Sequence, residues 1–339
     1  MKVVPIIHCF DHNYVLPAGV AFQSLLEKAK TPDVIYALHV IGSDISEEDK
    51  CLLNGIVARF ANATIDYCVP PELELPEYRA RGNFTKDMFY KLLIPDLFPQ
   101  YDRVLVSDVD VVYAGDVAPL YDELAADEEV YVCGTEDVGF SVWRARGILK
   151  DSGAPSCFKR YDRNMSQEER SRLFMGVGLF VMNSRLFRRD GMSEKCIEFA
   201  RNNFDRLVLP EQDVINIVCH PKVKLVSSRY MAIAGYEPNY RRLTEAERAA
   251  NPAWDEMFAN PVQIHYASGI KPWKYPQCPC SKLWFEALLA SGLFDRWREW
   301  YDSFMLPYMR MATGKTFLDF TIPLHKGKRL HLRVHKERF

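Results

Sequence analysis

The stretch at residues 103–112 reads Arg-Val-Leu-Val-Ser-Asp-Val-Asp-Val-Val. Val104–Val106 has the apolar, β-branched character of a buried strand, and Asp108 and Asp110 follow it directly. Because side chains at positions i and i+2 of an extended chain point to the same side, the two carboxylates can converge on one divalent cation. The alternative interpretation is a strand end that turns into solvent.

Strand and helix patterns alternate on both sides of this stretch. Strands are predicted at Val3–Ile7, Val34–Ile41, Thr64–Val69, Val130–Cys133, Leu179–Met182 and Val223–Val226. Helices are predicted at Pro17–Lys30, Ser46–Phe60 and Phe84–Phe98, the last of which Pro95 shortens or kinks. This alternation predicts an α/β fold with a doubly wound, mostly parallel sheet flanked by helices. Ligands of such sheets bind beyond the carboxyl ends of the strands, so residues just after strands are the first candidates for a site.

The composition sets limits on function. The chain has 339 residues, of which 48% are hydrophobic and 26% charged, as in a globular protein with a substantial core. A net charge of −2 excludes a dispersed polycation, so no nucleic-acid partner is expected. No run of about 18 apolar residues is present, and the nine cysteines are scattered, which favours a cytoplasmic protein with reduced thiols.

A second group of polar residues follows the first predicted strand, in the sequence Asp11-His12-Asn13-Tyr14. A dinucleotide-binding fold would have a glycine-rich turn here, and the chain has neither that turn nor a P-loop. A carboxylate, an amide and an aromatic ring suit a nucleoside, because the ring can stack on a base while the polar groups bond its edge or the ribose. The alternative is an Asx turn that begins a helix.

A third candidate is a loop near the end of the predicted sheet, His265-Tyr266-Ala267-Ser268-Gly269-Ile270-Lys271-Pro272-Trp273. Neutral imidazole is a good ligand for Mn²⁺ beside carboxylates, and a lysine ammonium binds phosphate as a point charge. His265 and Lys271 therefore suit a metal and a phosphate together. The alternative is a loop with a purely structural role.

Together, the three groups resemble glycosyltransferase family 8, the retaining lipopolysaccharide galactosyl- and glucosyltransferases of bacteria, with glycogenin as a distant relative. The resemblance extends from about Val3 to Trp273. It implies a GT-A fold and a metal-dependent, retaining transfer of glucose or galactose from a UDP-hexose to a hydroxyl of a glycan acceptor, such as the lipopolysaccharide core or another lipid-linked glycan. The implied cofactor is Mn²⁺, with Mg²⁺ as the alternative, held by Asp108, Asp110 and His265.

The resemblance also implies roles for individual residues. The implied nucleotide-sugar-binding residues are Asp11, Asn13, Tyr14, Lys91, Asp108, Val109, Asp110, Gly176, Glu211, Gln212, Gly269 and Lys271. The implied catalytic residues are Gln212, placed beneath the anomeric carbon, together with Glu211 and Asp137.

Three of these positions depart from the family pattern. Lys91 stands where an arginine is usual, Glu211 where an aspartate is usual, and Gly176 where an asparagine helps to bind the sugar. Lysine keeps the charge of arginine but loses its bidentate fork. At Gly176, either another side chain supplies the hydrogen bond of the missing asparagine, or the preferred sugar or acceptor differs from that of most family members.

Two other functions are compatible with part of the pattern. The departures at Gly176 and Glu211 leave open a non-catalytic nucleotide-sugar-binding protein. Asp108-Val109-Asp110 after an apolar strand also resembles the nucleophile motif of haloacid-dehalogenase-type phosphatases, with Asp108 phosphorylated and Asp110 as the acid. That motif normally opens its domain, and this interpretation leaves His265–Trp273 without a role.

Beyond the resemblance, the chain divides into a catalytic domain at residues 1–275 and a C-terminal part at residues 276–339. The C-terminal part combines an aromatic helix, Ser281–Leu306, with a basic amphipathic tail. Residues 310–339 carry a net charge of +6, so the first 309 residues carry −8. Such a tail favours peripheral attachment to an anionic surface at the inner face of the cell membrane. The alternative is a basic helix or strand packed on the acidic catalytic domain.

Overall fold

The computed structural model describes residues 1–73, 75, 86–125, 127–137, 160–161, 163–250, 252–267, 269–305, 318–323 and 329–334. The first eight strands are β1 (Lys2–Cys9), β2 (Val34–Ile41), β3 (Ala63–Cys68), β4 (Val104–Ser107), β5 (Val111–Tyr113), β6 (Val132–Glu136), β7 (Met175–Met182) and β8 (Val223–Val226). Seven of them form one sheet in the order β3-β2-β1-β4-β7-β6-β8. Strand β7 is antiparallel to both neighbours and the other pairs are parallel, so the predicted mostly parallel α/β sheet is confirmed.

The centre of the sheet explains why its strands are apolar. All eight residues of β7 are buried, because helices or loops cover both faces of a central strand. The sequence predicted only the second half of this strand, since Gly176 and Gly178 interrupt its apolar pattern. The backbone N–H of Asp108 donates to the carbonyl of Gly178 at 3.0 Å, so β7 also holds the chain that leaves β4.

Helices flank the sheet. They are α1 (Val15–Lys28), α2 (Glu47–Val57), α3 (Ile94–Leu97), α4 (Ala118–Asp122), α5 (Gln167–Ser171), α6 (Ser184–Asp190), α7 (Met192–Asn203), α8 (Pro210–Cys219), α9 (Glu237–Tyr240), α10 (Glu245–Ala249), α11 (Pro252–Ala259), α12 (Ser281–Ser291) and α13 (Phe294–Trp300). A capping box begins α2: the Ser46 hydroxyl accepts from the N–H of Asp49, whose carboxylate accepts from the N–H of Ser46.

The helix predicted at Phe84–Phe98 is interrupted near Pro95, as expected, but its first part is not α-helical. The described part is a 3₁₀ helix at Lys86–Leu93 followed by the single turn of α3. Pro95 lies in the first turn of α3, where its missing N–H costs nothing, whereas it could not continue an α-helix that had begun before it.

A second, smaller sheet crosses the end of the first. It orders β5, β10 (Gln263–His265) and β9 (Ala232–Ile233), with β10 antiparallel to β5. The stretch 103–112 therefore supplies strands to both sheets, and Asp108 to Asp110 lie at the crossing point. His265 ends a strand, which corrects the predicted loop over His265–Trp273.

The C-terminal part begins with helices that pack into the core. The predicted helix from Ser281 is divided by Gly292, which adopts a left-handed φ of 79° between α12 and α13; Leu306 lies outside the described residues. Trp284 of α12 is fully buried and its ring lies 5.8 Å from that of Trp273. The division of the chain at residue 275 remains a prediction.

In the basic tail, β11 (Leu318–Pro323) and β12 (Arg329–Val334) pair antiparallel. Residues 306–317, 324–328 and 335–339 lie outside the described part. Among the residues that are described, no helix has the length and apolar character needed to span a bilayer.

Candidate active site

A cleft of about 460 Å³ opens beyond the carboxyl ends of β1 and β4, where the two sheets meet. It is lined by most of the residues predicted from the sequence: Asp11, Tyr14, Lys91, Asp108, Val109, Asp110, Asp137, Glu211, Gln212, His265, Gly269 and Lys271. Asn13 and Gly176 are not among the lining residues. The side chain of Asn13 is exposed, and its backbone N–H donates to the Asp11 carboxylate.

Three potential metal ligands meet at the crossing of the two sheets. Nε2 of His265 lies 3.4 Å from Oδ2 of Asp108 and 3.2 Å from Oδ1 of Asp110. One ligand atom from each residue falls within 4.8 Å of the others. The carboxylates reach this point because the chain leaves β4 for β5, and the imidazole reaches it because β10 pairs with β5.

Lys271 lies on the outer side of this group. Its ammonium donates to Oδ2 of Asp110 and, at 2.6 Å, to the carbonyl of Tyr266. Burial favours the neutral form of Asp110, but Lys271 and His265 outweigh it and hold the pKa of this carboxyl well below its usual range. Burial likewise lowers the pKa of His265, whereas Asp110 and Asp108 raise it, with a net shift above the ordinary value.

Lys91 bonds the other carboxylate of the three potential metal ligands, that of Asp108. It is 2% exposed, and its ammonium donates to Asp108 at 2.6 Å, to Glu211 at 3.1 Å and to the carbonyl of Val177 at 3.4 Å. All three of its protons are therefore used inside the protein. Burial lowers the pKa of Lys91, but the two carboxylates raise it above its usual range, so the ammonium is charged.

A glycine allows the imidazole of His265 to lie where it does. A Cβ atom at Gly178 would stand 2.4 Å from Nδ1 and 2.6 Å from Cε1 of His265, closer than carbon atoms pack. Nδ1 is buried and has no hydrogen-bond partner in the described part of the chain. The close approach of β7 to β10 thus fixes the ring, which directs Nε2 towards the two carboxylates.

Gly176 has a comparable neighbour. A Cβ atom at Gly176 would stand 2.3 Å from Cε of Met231, so the methionine fills the space beside this glycine. Met231 also lines the cleft. At the place where the family pattern has an asparagine, the cleft therefore presents a thioether.

Helix α8 brings the third set of residues to the cleft. Nε2 of Gln212 lies 3.4 Å from Oδ2 of Asp137, and Glu211 is bonded to Lys91. Asn216, one turn further on, accepts from the N–H of Met175 at 2.9 Å and donates to its carbonyl at 2.8 Å, which ties α8 to the beginning of β7.

Asp213 secures the start of the same helix. Its carboxylate accepts from the backbone N–H groups of Val208 and Leu209 at 2.7 and 3.0 Å and from the hydroxyl of Tyr161 at 2.6 Å. Burial nevertheless raises the pKa of Asp213 to about 7, because the hydrogen bonds compensate only part of the desolvation.

The other end of the cleft lies beyond β1. Asp11 caps a 3₁₀ turn at His12–Tyr14, as the Asx-turn interpretation predicted, and the Tyr14 ring meets Trp273 edge-on at 5.9 Å. Burial, then Asp87 and Asp44, raise the pKa of Asp11. Asp87 also lines the cleft, although the sequence of its segment indicates only a helix.

Comparison with known proteins decides the family. The model of glycosyl transferase family 8 matches residues 5–277. The chain belongs to glycosyl transferase family 8. Among curated members, it is 23% identical to lipopolysaccharide 1,3-galactosyltransferase of Salmonella typhimurium over 286 residues, which cover 83% of this chain and 77% of that one. It is also 23% identical to general stress protein A of Bacillus subtilis over 283 residues, 80% of this chain and 88% of that one.

Solved structures of glycosyltransferases share the fold. The galactosyltransferase LgtC, in complex with donor and acceptor sugar analogs, matches 85% of this chain and 95% of its own with a TM-score of 0.61 at 18% identity. The bifunctional glycosyltransferase WbbM matches 88% of this chain with a TM-score of 0.69 at 19% identity, and the chain spans 51% of its length. The family and the GT-A fold expected from the sequence are therefore confirmed.

The residues at the crossing of the sheets fit the divalent cation that such enzymes generally use. Two carboxylate oxygens and one imidazole nitrogen are a donor set that suits Mn²⁺. In addition, within the described residues the three carboxylates of Asp108, Asp110 and Glu211 are bonded to two ammonium groups. The excess negative charge favours a cation at this place.

Proposed function

We propose that this protein is a metal-dependent, retaining glycosyltransferase that moves glucose or galactose from a UDP-hexose to a hydroxyl of a glycan. The observation that carries the proposal is the convergence of Asp108, Asp110 and His265, with Lys271 beside them, in the cleft of a family 8 chain. The similarity to a lipopolysaccharide galactosyltransferase favours lipopolysaccharide core or another lipid-linked glycan as the acceptor.

In this proposal Asp108, Asp110 and His265 hold Mn²⁺, with Mg²⁺ as the alternative. The bound cation supplies Lewis-acid stabilisation of the diphosphate that leaves. Lys271 adds positive charge to the same diphosphate, because its ammonium already lies at Asp110. We assign Asp11 and Tyr14 to the uridine end, with Asn13 at its exposed edge, and Val109 and Gly269 to the path between the uridine and the cation.

In this proposal the transferred sugar lies against Glu211, Gln212 and Asp137, with Met231 in front of Gly176 and Lys91 behind Glu211. Lys91 is saturated by internal hydrogen bonds, so we propose that it acts on the sugar indirectly, by orienting Asp108 and Glu211. The thioether of Met231 beside Gly176 makes this side of the sugar pocket apolar. That substitution favours a hexose, or a hexose orientation, that needs no hydrogen bond there.

We propose that transfer with retention proceeds by attack on the face from which the diphosphate leaves. The bond between the anomeric carbon and the phosphate oxygen breaks, and its electron pair stays with UDP. The acceptor oxygen forms the new bond, and its proton passes to the departing phosphate oxygen. An amide is a weaker nucleophile than a carboxylate, so Gln212 is not expected to form a covalent intermediate. We propose that it stabilises the oxocarbenium-like state instead.

The test is a panel of UDP-sugars with Mn²⁺, scored first by slow hydrolysis of the donor, which requires no acceptor. Turnover of UDP-glucose or UDP-galactose, with the α configuration kept in the product, is the expected result. Binding of the donor without hydrolysis or transfer would instead indicate a nucleotide-sugar-binding protein. A sugar trapped covalently on Glu211 or Asp137 would contradict same-face attack.

We also propose that the chain acts in the cytoplasm at the inner face of the membrane, through the basic tail at residues 310–339. The net charge of +6 in this segment supports attraction to an anionic leaflet, at about 1 kcal/mol per basic residue. Salt-sensitive binding to phosphatidylglycerol vesicles, lost when the chain is truncated after residue 306, is expected. Equal binding by the truncated chain would assign the tail a structural role.

A further inference from the structure

Asp87 is an acidic residue in the cleft to which nothing above assigns a role. It lies in the 3₁₀ helix at Lys86–Leu93, one turn before Lys91, and lines the cleft. Its side chain is 5% exposed, and its Oδ1 atom finds no hydrogen-bond donor among the described residues. An unpaired buried carboxylate is costly, so it is kept where a ligand supplies the missing donor.

The charged neighbours of Asp87 place it near the nucleoside end. Its negative charge raises the pKa of Asp11 and of Cys9, which both follow or end β1, and that of Tyr90. The 3₁₀ helix that carries Asp87 packs against β1, which leads to Asp11, and both carboxylates line the same cleft. Asp87 is therefore assigned to the part of the cleft beside β1.

A second metal ion does not explain Asp87. In the described part of the chain, Asp108, Asp110 and His265 form the one group of three ligand atoms within 4.8 Å, and Asp87 with Asp11 and Asp44 does not form another. The missing partner can therefore be a neutral hydrogen-bond donor. In a UDP-hexose such donors are the uracil N3–H, the ribose hydroxyls and the hexose hydroxyls, and at the nucleoside end the ribose is the group that presents two adjacent hydroxyls to both oxygens of a carboxylate.

We propose that Asp87 accepts hydrogen bonds from the ribose hydroxyls of the donor nucleotide and makes the cleft selective for ribonucleotides. The inference rests on the proposed function, because it requires a nucleoside diphosphate in the cleft. A carboxylate with two oxygens matches a vicinal diol, and the loss of one such charged hydrogen bond weakens binding by about tenfold or more.

The experiment compares the binding of UDP and 2′-deoxy-UDP to the full chain with Mn²⁺ by calorimetry. The wild type is expected to bind UDP about tenfold more tightly or better. Asp87→Ala is expected to reduce this preference to less than about twofold, and Asp87→Asn, which keeps an acceptor oxygen, to an intermediate value. The readout is the ratio of the two dissociation constants, for UDP and for 2′-deoxy-UDP. Removal of a negative charge by itself would strengthen the binding of both diphosphates.

Asp44→Asn is the matched control. Asp44 also raises the pKa of Asp11, but it is exposed and does not line the cleft, so this variant is expected to keep the wild-type preference. Equal binding of the two nucleotides by the wild type, or an unchanged preference in Asp87→Ala, would overturn the inference and leave the proposed function intact. If the wild type bound neither nucleotide, the proposed function would fall, and the inference with it.

Discussion

The carboxylates at the two ends of the cleft differ in their bonding partners. At the crossing of the sheets, Asp108 and Asp110 are each bonded to a lysine and both face His265. Beyond β1, Asp11 is bonded mainly to backbone, and Oδ1 of Asp87 has no partner in the part of the chain that is described. One end is held in place by internal ion pairs, and the other depends on its ligand.

This difference indicates which side chains of the cleft are held in position without a ligand. Buried charges that pair with one another keep their positions without a ligand, but breaking such a pair is strongly destabilising. An unpaired buried carboxylate lowers the stability of the ligand-free protein slightly and gains most when a donor arrives. Substitutions at the paired end are thus expected to affect both folding and activity, and those at the unpaired end to affect recognition alone.

The largest effect is expected for Asp110→Ala. This change removes one ligand of the proposed cation and leaves Lys271 without its carboxylate. Loss of several kcal/mol of transition-state stabilisation corresponds to a fall of about 1,000-fold in donor hydrolysis. Wild-type turnover of UDP-hexose by a folded Asp110→Ala protein would remove the metal-site assignment.

Lys91→Met tests the ion pairs through stability. It keeps the length of the side chain but leaves Asp108 and Glu211 without their shared ammonium, at an expected cost of about 3 kcal/mol in the free energy of unfolding. Chemical denaturation measures this loss. Mn²⁺ is expected to raise the Tm of the variant more than that of the wild type, because the cation replaces the missing charge.

The control for Lys91→Met is Lys222→Met. Lys222 also bonds a carboxylate, that of Glu129 at 3.1 Å, but the two side chains are 36% and 59% exposed. The expected cost is less than about 1 kcal/mol. Equal stability losses in the two variants would show that burial of the Lys91 pairs has no energetic importance.

Gly178→Ala tests how the imidazole is positioned. The added methyl group would overlap His265 and must displace the ring, so Mn²⁺ affinity is expected to fall by about 10- to 100-fold, as for other groups that orient a ligand. Titration with Mn²⁺ measures this affinity.

Gly55→Ala is the control. Gly55 lies within α2 and has no atom within 4 Å of the added carbon, so this variant is expected to leave Mn²⁺ affinity unchanged. Unaltered affinity in Gly178→Ala would mean that the ring has room elsewhere.

The smallest effect is expected for Asp87→Asn, measured by the same denaturation. Because Oδ1 of this side chain has no described partner and repels Asp11, the change is expected to leave the free energy of unfolding within about 1 kcal/mol of the wild type. A loss of unfolding free energy as large as that of Lys91→Met would show that Asp87 is stabilised by an internal ion pair. The two ends of the cleft would then not differ in this respect.

The sequence predicted the sheet well where apolar runs are continuous, as in β2, whose bounds match exactly the predicted Val34–Ile41. It failed where a residue type suits several conformations. The glycines of β7 hid half of a buried strand, and the spacing in Lys86–Leu93 fits a 3₁₀ helix as well as an α-helix. Short strands such as β10 carry too few residues to show a period.

For the site, sequence order and residue chemistry were sufficient to select Asp108, Asp110, His265 and Lys271, which the structure brings together. The roles of these residues stay a proposal. The ion pairs of Lys91 could not be predicted, because the distance between side chains depends on how the 3₁₀ helix meets α8. Asp87 was missed for a related reason: an acidic residue in a sequence gives no sign of whether it will be paired.

The crossing of the two sheets also determines when the cleft is completed during synthesis. A nascent chain that has emerged as far as Val226 contains every strand of the seven-stranded sheet, yet it lacks His265 and Lys271. Contacts such as that between Lys271 and Asp110 join residues 161 positions apart, so closing that loop costs entropy that a chain ending before Lys271 cannot recover. A chain cut between Val226 and His265 would therefore keep the strands of the larger sheet and lack two residues of the proposed cation and diphosphate site.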